Sequence, residues 1–449
     1  MAGEWKRYKV GDLFDLVPGF AFKSDDFNES GVPVIKIKNV KANALVLNDL
    51  SYVDPRFLER RKDNIIKFGD ILITMSGNRF GGSKDTWVGK VAQFRNSGLF
   101  LLNQRVGILR PKRMVEVDTR CCAYFLGSDD YQNLFISIAT SSGGQANLSP
   151  NQILEADILL PLIKEQRAIA HILGTLDDKI ELNRKMNETL EQMARALFKS
   201  WFIDFEPVRA KMEGRWKKGQ SLPGLPAHLY DLFPDRLVRT EFGEIPKGWR
   251  VGTLTELSHK PQYGFTASAK DEPIGPKFLR ITDINKLPWI DWSKVPYCEI
   301  PKEDLESYRL NKGDVLIARM ADPGHGIVVE DQVEAVFASY LIRFKIQDPA
   351  YTRYIQYWLR SDVYWDLVKA RCAGTTRASL NARILGAFRL FIPPRSVVLE
   401  FSQIIDIIRN KIIANVSESN TLEQIRDTLL PKLIHGEISL ANFEGGKYE

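Results

Sequence analysis

Residues 176–192 read LDDKIELNRKMNETLEQ, and residues 408–424 read IRNKIIANVSESNTLEQ. The two segments lie 232 positions apart and share Lys179 with Lys411, Ile180 with Ile412, Asn183 with Asn415, and the run Thr189–Gln192 with Thr421–Gln424. A sequence that recurs at a fixed distance determines the architecture before any motif is considered. The repeat predicts two tandem modules, each ending in a similar segment.

The upstream parts of the two modules also match, at a distance of 244 positions. VIKIKN at 34–39 corresponds to FLRITD at 278–283, and GDIL at 69–72 corresponds to GDVL at 313–316. Apolar and turn-forming positions agree, whereas the polar side chains differ: Lys36, Lys38 and Asn39 stand against Arg280, Thr282 and Asp283. We therefore expect one scaffold that presents two different polar faces. This pattern suits a protein that reads two different half-sites.

Composition and charge restrict the class of protein only partly. The 449 residues suffice for two or three domains, and 44% hydrophobic with 26% charged residues is an ordinary globular composition. A net charge of +6 fits a nucleic-acid partner without requiring one. The four cysteines form no CxxC pair, so neither a zinc site nor a disulfide framework is expected. The charged N-terminus and the lack of a long apolar run predict a cytoplasmic protein without a membrane anchor.

The patterns along the chain predict an α+β (mixed α/β) fold. The predicted segments are a first module at 1–160, a long helix at 161–204, a Pro-rich connector at 205–248, a second module at 249–393, a second long helix at 394–438 and a tail at 439–449. Short Val- and Ile-rich strands are expected at Val32–Val40, Asp70–Thr74 and Arg105–Leu109, and again at Phe278–Ile284, Asp314–Ala318 and Leu341–Ile346.

Both long helices have an apolar seam with a spacing of four and three residues. The first seam is Ile169, Leu173, Leu176, Ile180, Asn183, Asn187, Leu190, Ala194 and Leu197, and the second is Phe401, Ile405, Ile408, Ile412, Asn415, Ser419, Leu422, Arg426 and Leu429. Such a repeat is typical of a coiled coil, interrupted here only at Arg426. The alternative is two amphipathic helices that each pack on their own domain.

Asn183 and Asn415 stand at the midpoints of the two seams. If the helices pair with each other, these residues face one another, and a buried Asn pair fixes the register because a slip would leave amides without partners. The spacing leaves both parallel and antiparallel pairing open.

Motifs that support catalysis or metal binding are missing from the sequence. Gly77–Lys84 is glycine-rich but lacks the ending of a phosphate-binding loop. Asp348-Pro-Ala-Tyr351 resembles the Asp-Pro-Pro-Tyr of amino-methyltransferases, but without a glycine-rich cofactor loop upstream we interpret it as a helix-capping turn. The five histidines are dispersed. We expect no catalytic residue, no metal site and no cofactor in this chain.

Polar and basic side chains occur on four predicted loops or strand edges of each module, where they could contact phosphates or base edges. In the first module they are Lys36, Lys38, Asn39 and Lys41; Thr74, Ser76, Asn78 and Arg79; Asn103, Gln104 and Arg105; and Ser141, Ser142, Gly143, Gly144, Gln145 and Asn147. In the second they are Arg280, Thr282, Asp283 and Asn285; Arg319 and Asp322; Ser339, Tyr340 and Arg343; and Thr375, Thr376, Arg377, Ser379 and Asn381. These residues are the candidate DNA contacts.

Three further segments are distinctive: LFKSWFIDFEP at 197–207, FGEIPKGW at 242–249 and LLPKLIHGEI at 429–438. Together with the alternation of module and long helix, they resemble the specificity (S) subunits of type I DNA restriction-modification enzymes over nearly the whole chain. The last segment is the most specific of the three.

The resemblance implies two target-recognition domains in an internal pseudo-two-fold repeat, held apart by an antiparallel coiled coil of the two long helices. Each domain would read one half of a bipartite, asymmetric DNA site. In this family the helices also dock two modification subunits, which bind S-adenosylmethionine and methylate adenine at N6. A motor and nuclease subunit that uses ATP and Mg²⁺ completes the endonuclease. The chain itself would be a non-catalytic, DNA-binding part of a phage-defence complex.

Other functions are compatible with parts of the sequence. A coiled-coil assembly subunit of a related phage-defence complex would bind DNA without sequence preference. A nucleic-acid methyltransferase or nuclease would itself bind S-adenosylmethionine or a metal. An S subunit that serves a methyltransferase alone would lack a nuclease partner.

We predict that inserting four residues near Ser417 in the second long helix lengthens the non-specific spacer of the recognised site, because the insertion adds ~6 Å of helix. Methylome sequencing of the insertion variant measures the spacer directly. Both half-sites should stay the same, and an unchanged spacer would contradict the prediction.

Overall fold

The computed structural model describes residues 5–47, 49–80, 84–142, 144–241, 243–372 and 379–440, and of Asp85 and Ser142 only the backbone. The chain forms two compact units. The first unit contains Met1–Ile180 and Thr421–Glu449, and the second contains Glu181–Asn420. Two forty-residue helices, Ile163–Phe202 and Arg395–Ile434, are called here the first and the second long helix. Each of them contributes residues to both units.

The first unit is built mainly from short strands. They are Lys6–Lys9, Phe14–Pro18, Phe27–Asn28, Val32–Ile35, Val40–Lys41, Ala44–Leu45, Ser51–Val53, Ile65–Ile66, Ile71–Thr74, Ser76–Gly77, Val91–Gln93, Phe100–Leu102, Val106–Pro111, Thr140–Ser142, Gln145–Asn147 and Asp157–Leu160. Its shorter helices are Val10–Leu13, Arg56–Arg60, Thr119–Leu126, Asp129–Ile138 and Pro150–Leu154, with 3-10 turns at Ser24–Asp26, Ile37–Asn39, Lys62–Asn64 and Lys84–Thr86.

The second unit has a similar set of elements. Its strands are Leu237–Thr240, Gly243–Pro246, Arg250–Thr253, Gln262–Tyr263, Lys277–Leu279, Val315–Ala318, Gly326–Val328, Ala335–Phe337, Leu341–Phe344 and Arg389–Ile392. Its shorter helices are Glu206–Met212, Leu254–Leu257, Lys302–Tyr308, Thr352–Trp358, Asp362–Cys372 and Ala382–Gly386, with 3-10 turns at Ala227–Leu232, Ile281–Asp283 and Pro349–Tyr351.

Each unit contains a four-stranded antiparallel sheet with the same order of strands. In the first unit the order is Val91–Gln93, Ile71–Thr74, Val106–Pro111, Phe14–Pro18. In the second unit it is Gly326–Val328, Val315–Ala318, Leu341–Phe344, Gln262–Tyr263. Each unit also has a parallel strand pair, with Val34 opposite Leu101 in the first unit and Phe278 opposite Val336 in the second. The two units therefore show the same arrangement of these strands.

The cores form where the sheets meet the helices. In the first unit, Ile73 and Phe125 pack in one cluster with Leu173 of the first long helix and Leu433 of the second. In the second unit, Ile317 and Tyr354 pack with Phe198 of the first long helix, and Phe198 contacts Phe401 of the second at a ring distance of 5.9 Å. Each unit thus buries a stretch of both long helices.

The long helices pack together, and their numbering runs in opposite directions along the contact. In the second unit Asn187 contacts Asn415, Glu191 contacts Arg409 and Phe198 contacts Phe401. In the first unit Asp177 pairs with Arg426 at 2.9 Å. All the described seam residues are buried or half-buried. Arg426 does not interrupt the packing, because its charge is satisfied by Asp177.

The two midpoint asparagines are buried as predicted, but their amides do not pair with each other. Asn183 Nδ2 donates to Glu418 Oε2 at 2.8 Å and to Ser419 Oγ at 3.3 Å, and it lies 3.5 Å from the Asn415 carbonyl. The Asn415 amide instead donates to Asn187 Oδ1 at 2.8 Å. The register that the helices adopt brings the side chain of Asn415 opposite Asn187, one turn beyond Asn183.

The segment predicted as a Pro-rich connector is folded into the second unit. Pro207 lies in the first turn of the helix Glu206–Met212, a position where its missing N–H costs nothing. Between the prolines, Trp216 is 1% exposed and packs edge-on against Phe233, which in turn contacts Trp201 at the end of the first long helix. Large apolar residues therefore hold this stretch in the core, although prolines set its turns.

Within the second unit, a network of buried charges joins the two long helices to each other and to the residues packed against them. Arg409 of the second helix is fully buried; its Nε donates to Glu330 Oε1 at 2.8 Å and its Nη1 to Glu191 Oε2 at 3.1 Å. Glu191, on the first helix, also accepts from Arg360 at 2.9 Å, and Arg353 donates to Glu330. Burial alone would raise the pKa of Glu330, but the hydrogen bond and charge of Arg409 outweigh it and lower the pKa. The carboxylate is therefore held ionised.

The first unit has a smaller and partly exposed counterpart. Asp178 of the first long helix accepts from Arg120 at 2.8 Å and from Arg95. Partial burial opposes ionisation of Asp178, but these hydrogen bonds prevail and hold its pKa at about 2. The neighbouring Asp177 accepts from Tyr124 and from Arg426. Carboxylates on the first helix thus anchor it to the first unit.

We predict that Arg409→Met lowers the free energy of unfolding of the second unit by about 3 to 5 kcal/mol, because it leaves Glu191 and Glu330 buried with fewer partners. Urea unfolding followed by tryptophan fluorescence measures the change. The control is Lys369→Met, which removes a Lys from an exposed pair with Asp366 at 3.7 Å and should have no measurable effect. Equal effects of the two variants would contradict the role of the network.

Candidate nucleic-acid interface

The first group of candidate residues forms a tight turn in each unit. The strands predicted at Val32–Val40 and Phe278–Ile284 end earlier, at Ile35 and Leu279. In the first unit Asn39 Oδ1 accepts the N–H of Lys36 at 3.0 Å, and in the second unit Asp283 accepts the N–H of Arg280 at 2.8 Å. A short polar side chain that captures a backbone N–H competes with the strand and turns the chain. This competition was not visible in the apolar pattern.

Asn39 and Asp283 are engaged inside the protein. Asn39 is 1% exposed, and its Nδ2 donates to the carbonyls of Val46 at 2.9 Å and Asp49 at 3.2 Å. Asp283 also accepts from the Arg280 guanidinium at 3.0 Å, while Thr282 beside it is exposed. Both Asn39 and Asp283 shape the turns, and their contact with DNA remains an untested prediction.

The lysines around the first turn differ in their surroundings. The Lys36 ammonium lies 3.6 Å from the ring centroid of Phe27, and burial together with the nearby Lys38 lowers its pKa. Lys38 forms an exposed ion pair with Asp49. Lys41 is half-buried on the short strand Val40–Lys41. Lys38 is thus neutralised within the chain, and Lys36 lies against an aromatic ring.

Three candidates from three separate segments meet at one point of the first unit. Ser76 and Asn147 are opposite each other in an antiparallel strand pair. Arg105 Nη1 donates to Ser76 Oγ at 2.8 Å and to Asn147 Oδ1 at 3.2 Å, and the Ser76 hydroxyl donates to Asn147 Oδ1. Ser76 is buried and Arg105 is exposed. The side chains of Ser76 and Asn147 therefore hold the exposed guanidinium of Arg105 in place.

The turn at 103–105 also connects this cluster to the rest of the candidates. The N–H of Asn103 donates to the Ile35 carbonyl at 3.0 Å, just before Lys36, and the N–H of Gln104 donates to the Phe20 carbonyl at 2.9 Å. The side chain of Gln104 is exposed. The turn at 103–105 thus contacts both the segment that precedes Lys36 and, through Arg105, the strand that carries Ser76.

Arg61 lies next to the residue that binds the 103–105 turn, but it was not predicted from the sequence. Its guanidinium lies 3.7 Å from the ring centroid of Phe20, the residue whose carbonyl holds the 103–105 turn. Phe20 packs edge-on against Phe22 at 4.9 Å. The basic run from Arg60 to Lys62 was the available signal, but nothing in the sequence connected it with Phe20.

The remaining candidates of the first unit surround a three-stranded sheet. Thr74 is buried and its hydroxyl accepts the N–H of Lys90. Asn78 Nδ2 donates to Thr86 Oγ1 at 3.0 Å, and the Arg79 guanidinium donates to the Ala139 carbonyl. The hairpin that pairs Ser141 with Ala146 and Ser142 with Gln145 turns through Gly144, whose φ of +81° favours glycine; Gln145 is exposed, and Gly143 lies outside the described residues.

In the second unit the candidates are less closely assembled. The Arg319 guanidinium lies 5.1 Å from the Tyr263 ring centroid, and its buried Nε meets no acceptor among the described residues. The N–H of Ser339 donates to the Phe265 carbonyl, and Tyr340 next to it is 52% exposed. Arg319 and Tyr340 are joined through their backbones, since the Arg319 N–H donates to the Tyr340 carbonyl at 2.9 Å.

Several other candidates in the second unit have structural partners. Arg343 is buried and donates to Asp314 at 3.3 Å. Asn285 Nδ2 donates to Asp322 at 3.1 Å, and Asn381 Oδ1 accepts the N–H of Ile384 at 2.9 Å and caps the helix Ala382–Gly386. Ser379 is exposed, whereas Thr375, Thr376 and Arg377 lie outside the described residues.

The Asp348-Pro-Ala-Tyr351 segment is confirmed as a helix-capping turn. The Asp348 carboxylate accepts the N–H of Ala350 at 3.1 Å, and the turn leads into the helix Thr352–Trp358. Over the part of the chain that the structure describes, no group of three or more His, Cys, Asp or Glu side chains is arranged to hold a metal ion. Within the same residues no helix is both long and apolar enough to cross a membrane.

Comparisons with known proteins show which proteins the chain resembles. Residues 2–192 match the family model of the type I restriction modification DNA specificity domain. The chain is 26% identical, over 97% of its length and 100% of the relative, to the type I restriction enzyme HindI specificity subunit of Haemophilus influenzae. It is 22% identical to the EcoKI specificity subunit of Escherichia coli, over 97% of the chain and 89% of the relative. The crystal structure of the type I S subunit from M. genitalium shares its fold, with a TM-score of 0.57 at 15% identity over 96% of both chains.

We predict that Asn39→Ala lowers the free energy of unfolding of the first unit by about 1 to 3 kcal/mol, because the N–H of Lys36 and the carbonyl of Val46 lose a buried partner. Thermal or urea unfolding measures this loss. Lys38→Ala, one position away in an exposed ion pair, is the control and should leave stability unchanged. Asn39→Ala with full stability and altered DNA binding would instead make Asn39 a contact residue.

Proposed function

We propose that this chain belongs to the type I restriction-modification specificity subunits, which it resembles, and that it is the DNA sequence-recognition subunit of such a complex. One observation carries the proposal: the two units have the same order of strands but differ in the polar residues at corresponding positions. The turn that has Lys36, Lys38 and Asn39 in the first unit has Arg280, Thr282 and Asp283 in the second. Two copies of one scaffold with unlike polar edges suit two unlike DNA sequences.

Each unit would read one half of a bipartite, asymmetric site. In the first unit the hydrogen bond from the Asn103 N–H to the Ile35 carbonyl joins the segment that carries Gln104 and Arg105 to the one that carries Lys36. Lysine, amide and guanidinium groups can contact both phosphates and base edges. In the second unit Thr282, Arg319 and Tyr340 are the corresponding candidates. Such an interface should depend strongly on salt, because phosphate contacts release counterions.

The two long helices would form an antiparallel coiled coil that sets the gap between the half-sites. The opposite direction of the contacts in each unit supports this role, as does the shared length of forty residues. Two half-sites that are read from one side of the duplex lie one helical turn apart, about 34 to 36 Å, or a multiple of that distance. In this proposal the internal repeat gives one recognition domain and one helix for each half-site.

The catalytic work would belong to other subunits. Two modification subunits that bind S-adenosylmethionine would dock on the long helices and methylate adenine at N6. Because that atom lies inside the base stack, the methyltransferase must extrude the adenine, at a cost of a few kcal/mol. Contacts of this chain with the flanking DNA would help to offset the cost. A motor and nuclease subunit with ATP and Mg²⁺ would complete a restriction enzyme.

The proposal is tested by co-expressing the chain with the methyltransferase encoded beside it in a host that lacks other adenine methylation. Single-molecule sequencing for N6-methyladenine should give one motif with two unlike halves and a fixed gap. The methyltransferase expressed alone should give no such motif. A stable complex that binds DNA without any sequence preference would contradict the proposal and favour an assembly role.

A further inference from the structure

In each unit a corresponding turn is held by the same pair of backbone hydrogen bonds. In the first unit the N–H of Met75 donates to the Arg105 carbonyl at 2.8 Å, and the N–H of Leu148 donates to the Met75 carbonyl at 2.9 Å. These bonds join the end of a central strand, the turn at 103–105 and the segment after the hairpin. Met75 therefore links the backbone of Arg105 to that of Leu148.

The second unit makes the same bonds with different residues. The N–H of Arg319 donates to the Tyr340 carbonyl at 2.9 Å, and the N–H of Leu380 donates to the Arg319 carbonyl at 2.8 Å. Arg105 and Tyr340 thus occupy the same place in their units, and both are exposed. The scaffold is kept while the displayed side chain changes from a guanidinium to a phenol, as expected at a position that determines specificity.

The guanidinium of Arg105 is oriented by two side chains beneath it. Its Nη1 donates to Ser76 Oγ at 2.8 Å and to Asn147 Oδ1 at 3.2 Å. Ser76 is 3% exposed and lies in a strand pair with Asn147, so both acceptors are fixed by the fold. A long side chain that is already ordered loses less conformational entropy when it binds.

The outer edge of the same guanidinium is available. Within the described residues, neither Nε nor Nη2 of Arg105 meets a hydrogen-bond acceptor of the protein. These two atoms present parallel N–H donors at the spacing of the O6 and N7 acceptors of guanine. Asn147 cannot read an adenine in the same way, because its Oδ1 already accepts from both Ser76 and Arg105.

We propose that Arg105 reads a guanine in the half-site of the first unit through Nε and Nη2, and that Ser76 and Asn147 are positioning residues. This inference rests on the proposed function and specifies one of its contacts. The guanine can lie on either strand, so the recognised motif should contain a G·C pair in that half. The exposed Tyr340 predicts that the matching position of the other half-site follows a different rule.

The test compares methylomes of the complex formed by the full-length chain and its methyltransferase. Arg105→Ala should relax the motif at one G·C position of one half-site, with a loss of discrimination of roughly 5- to 150-fold. All other positions, including the second half-site, should stay the same. The control is Arg113→Ala, which removes an exposed arginine at the other end of the strand Val106–Pro111 and should leave the motif intact.

Arg105→Lys separates base reading from a phosphate contact. A lysine keeps the positive charge but cannot donate two parallel hydrogen bonds. Guanine reading predicts a relaxed motif for Arg105→Lys, whereas a phosphate contact predicts an unchanged motif and would overturn the inference. Because Arg105 is exposed, both variants should melt at the wild-type temperature.

The role of Ser76 in orienting Arg105 is tested by a separate pair of variants. Ser76→Ala should reduce discrimination at the same G·C position, and Ser76→Thr, which keeps the hydroxyl, should restore it. A fall in overall methylation without a change of motif would show that Ser76 is only structural.

Failure of the inference and failure of the proposed function look different. A wild-type complex without any motif would overturn both. A wild-type bipartite motif that lacks a G·C pair in either half, or that persists in Arg105→Ala, would overturn the reading of guanine alone.

Discussion

The buried charges around Arg409 are the constraint on which the second unit and the packing of its helices depend. Arg409 is fully buried between Glu191 of the first long helix and Glu330, which follows the strand Gly326–Val328 of the second unit. Buried charges are tolerated only when each has a partner, and a shift of either helix by one turn would separate the buried Arg409 from at least one of its two carboxylate partners. The network therefore fixes the register more strongly than an apolar seam alone, which could slide at a smaller cost.

In the first unit, too, the first long helix supplies a carboxylate and the second long helix supplies an arginine. Asp177 of the first long helix and Arg409 of the second are 232 positions apart and so occupy matching places in the two helices. Asp177 pairs with Arg426, whereas Arg409 pairs with Glu191. Pairing the first helix antiparallel with another copy of itself in this register would bring Asp177 opposite Glu191 and bury like charges. The charge pattern thus favours pairing of the two different helices.

The sequence predicted the helices well and the site only in part. The seam depends on local periodicity, so its residues could be identified directly. Arg426 looked like a break because its partner Asp177 lies 249 positions away. The cluster of Ser76, Arg105 and Asn147 was predicted only as three separate candidates, because strand pairing brings them together. Side chains that capture backbone N–H groups, such as Asn39, ended strands that the Val and Ile pattern had extended.

We propose that each unit reads its own half-site through the same part of one scaffold. Hydrogen exchange of the methyltransferase complex, with duplexes that carry both half-sites or only one, tests this claim most directly. The first half-site alone should protect the 103–105 turn. The second alone should protect the matching turn at 338–340, in which the N–H of Leu341 donates to the Ala338 carbonyl as that of Val106 does to Asn103. Protection of both turns by either half-site, or of neither turn by the complete site, would contradict the account.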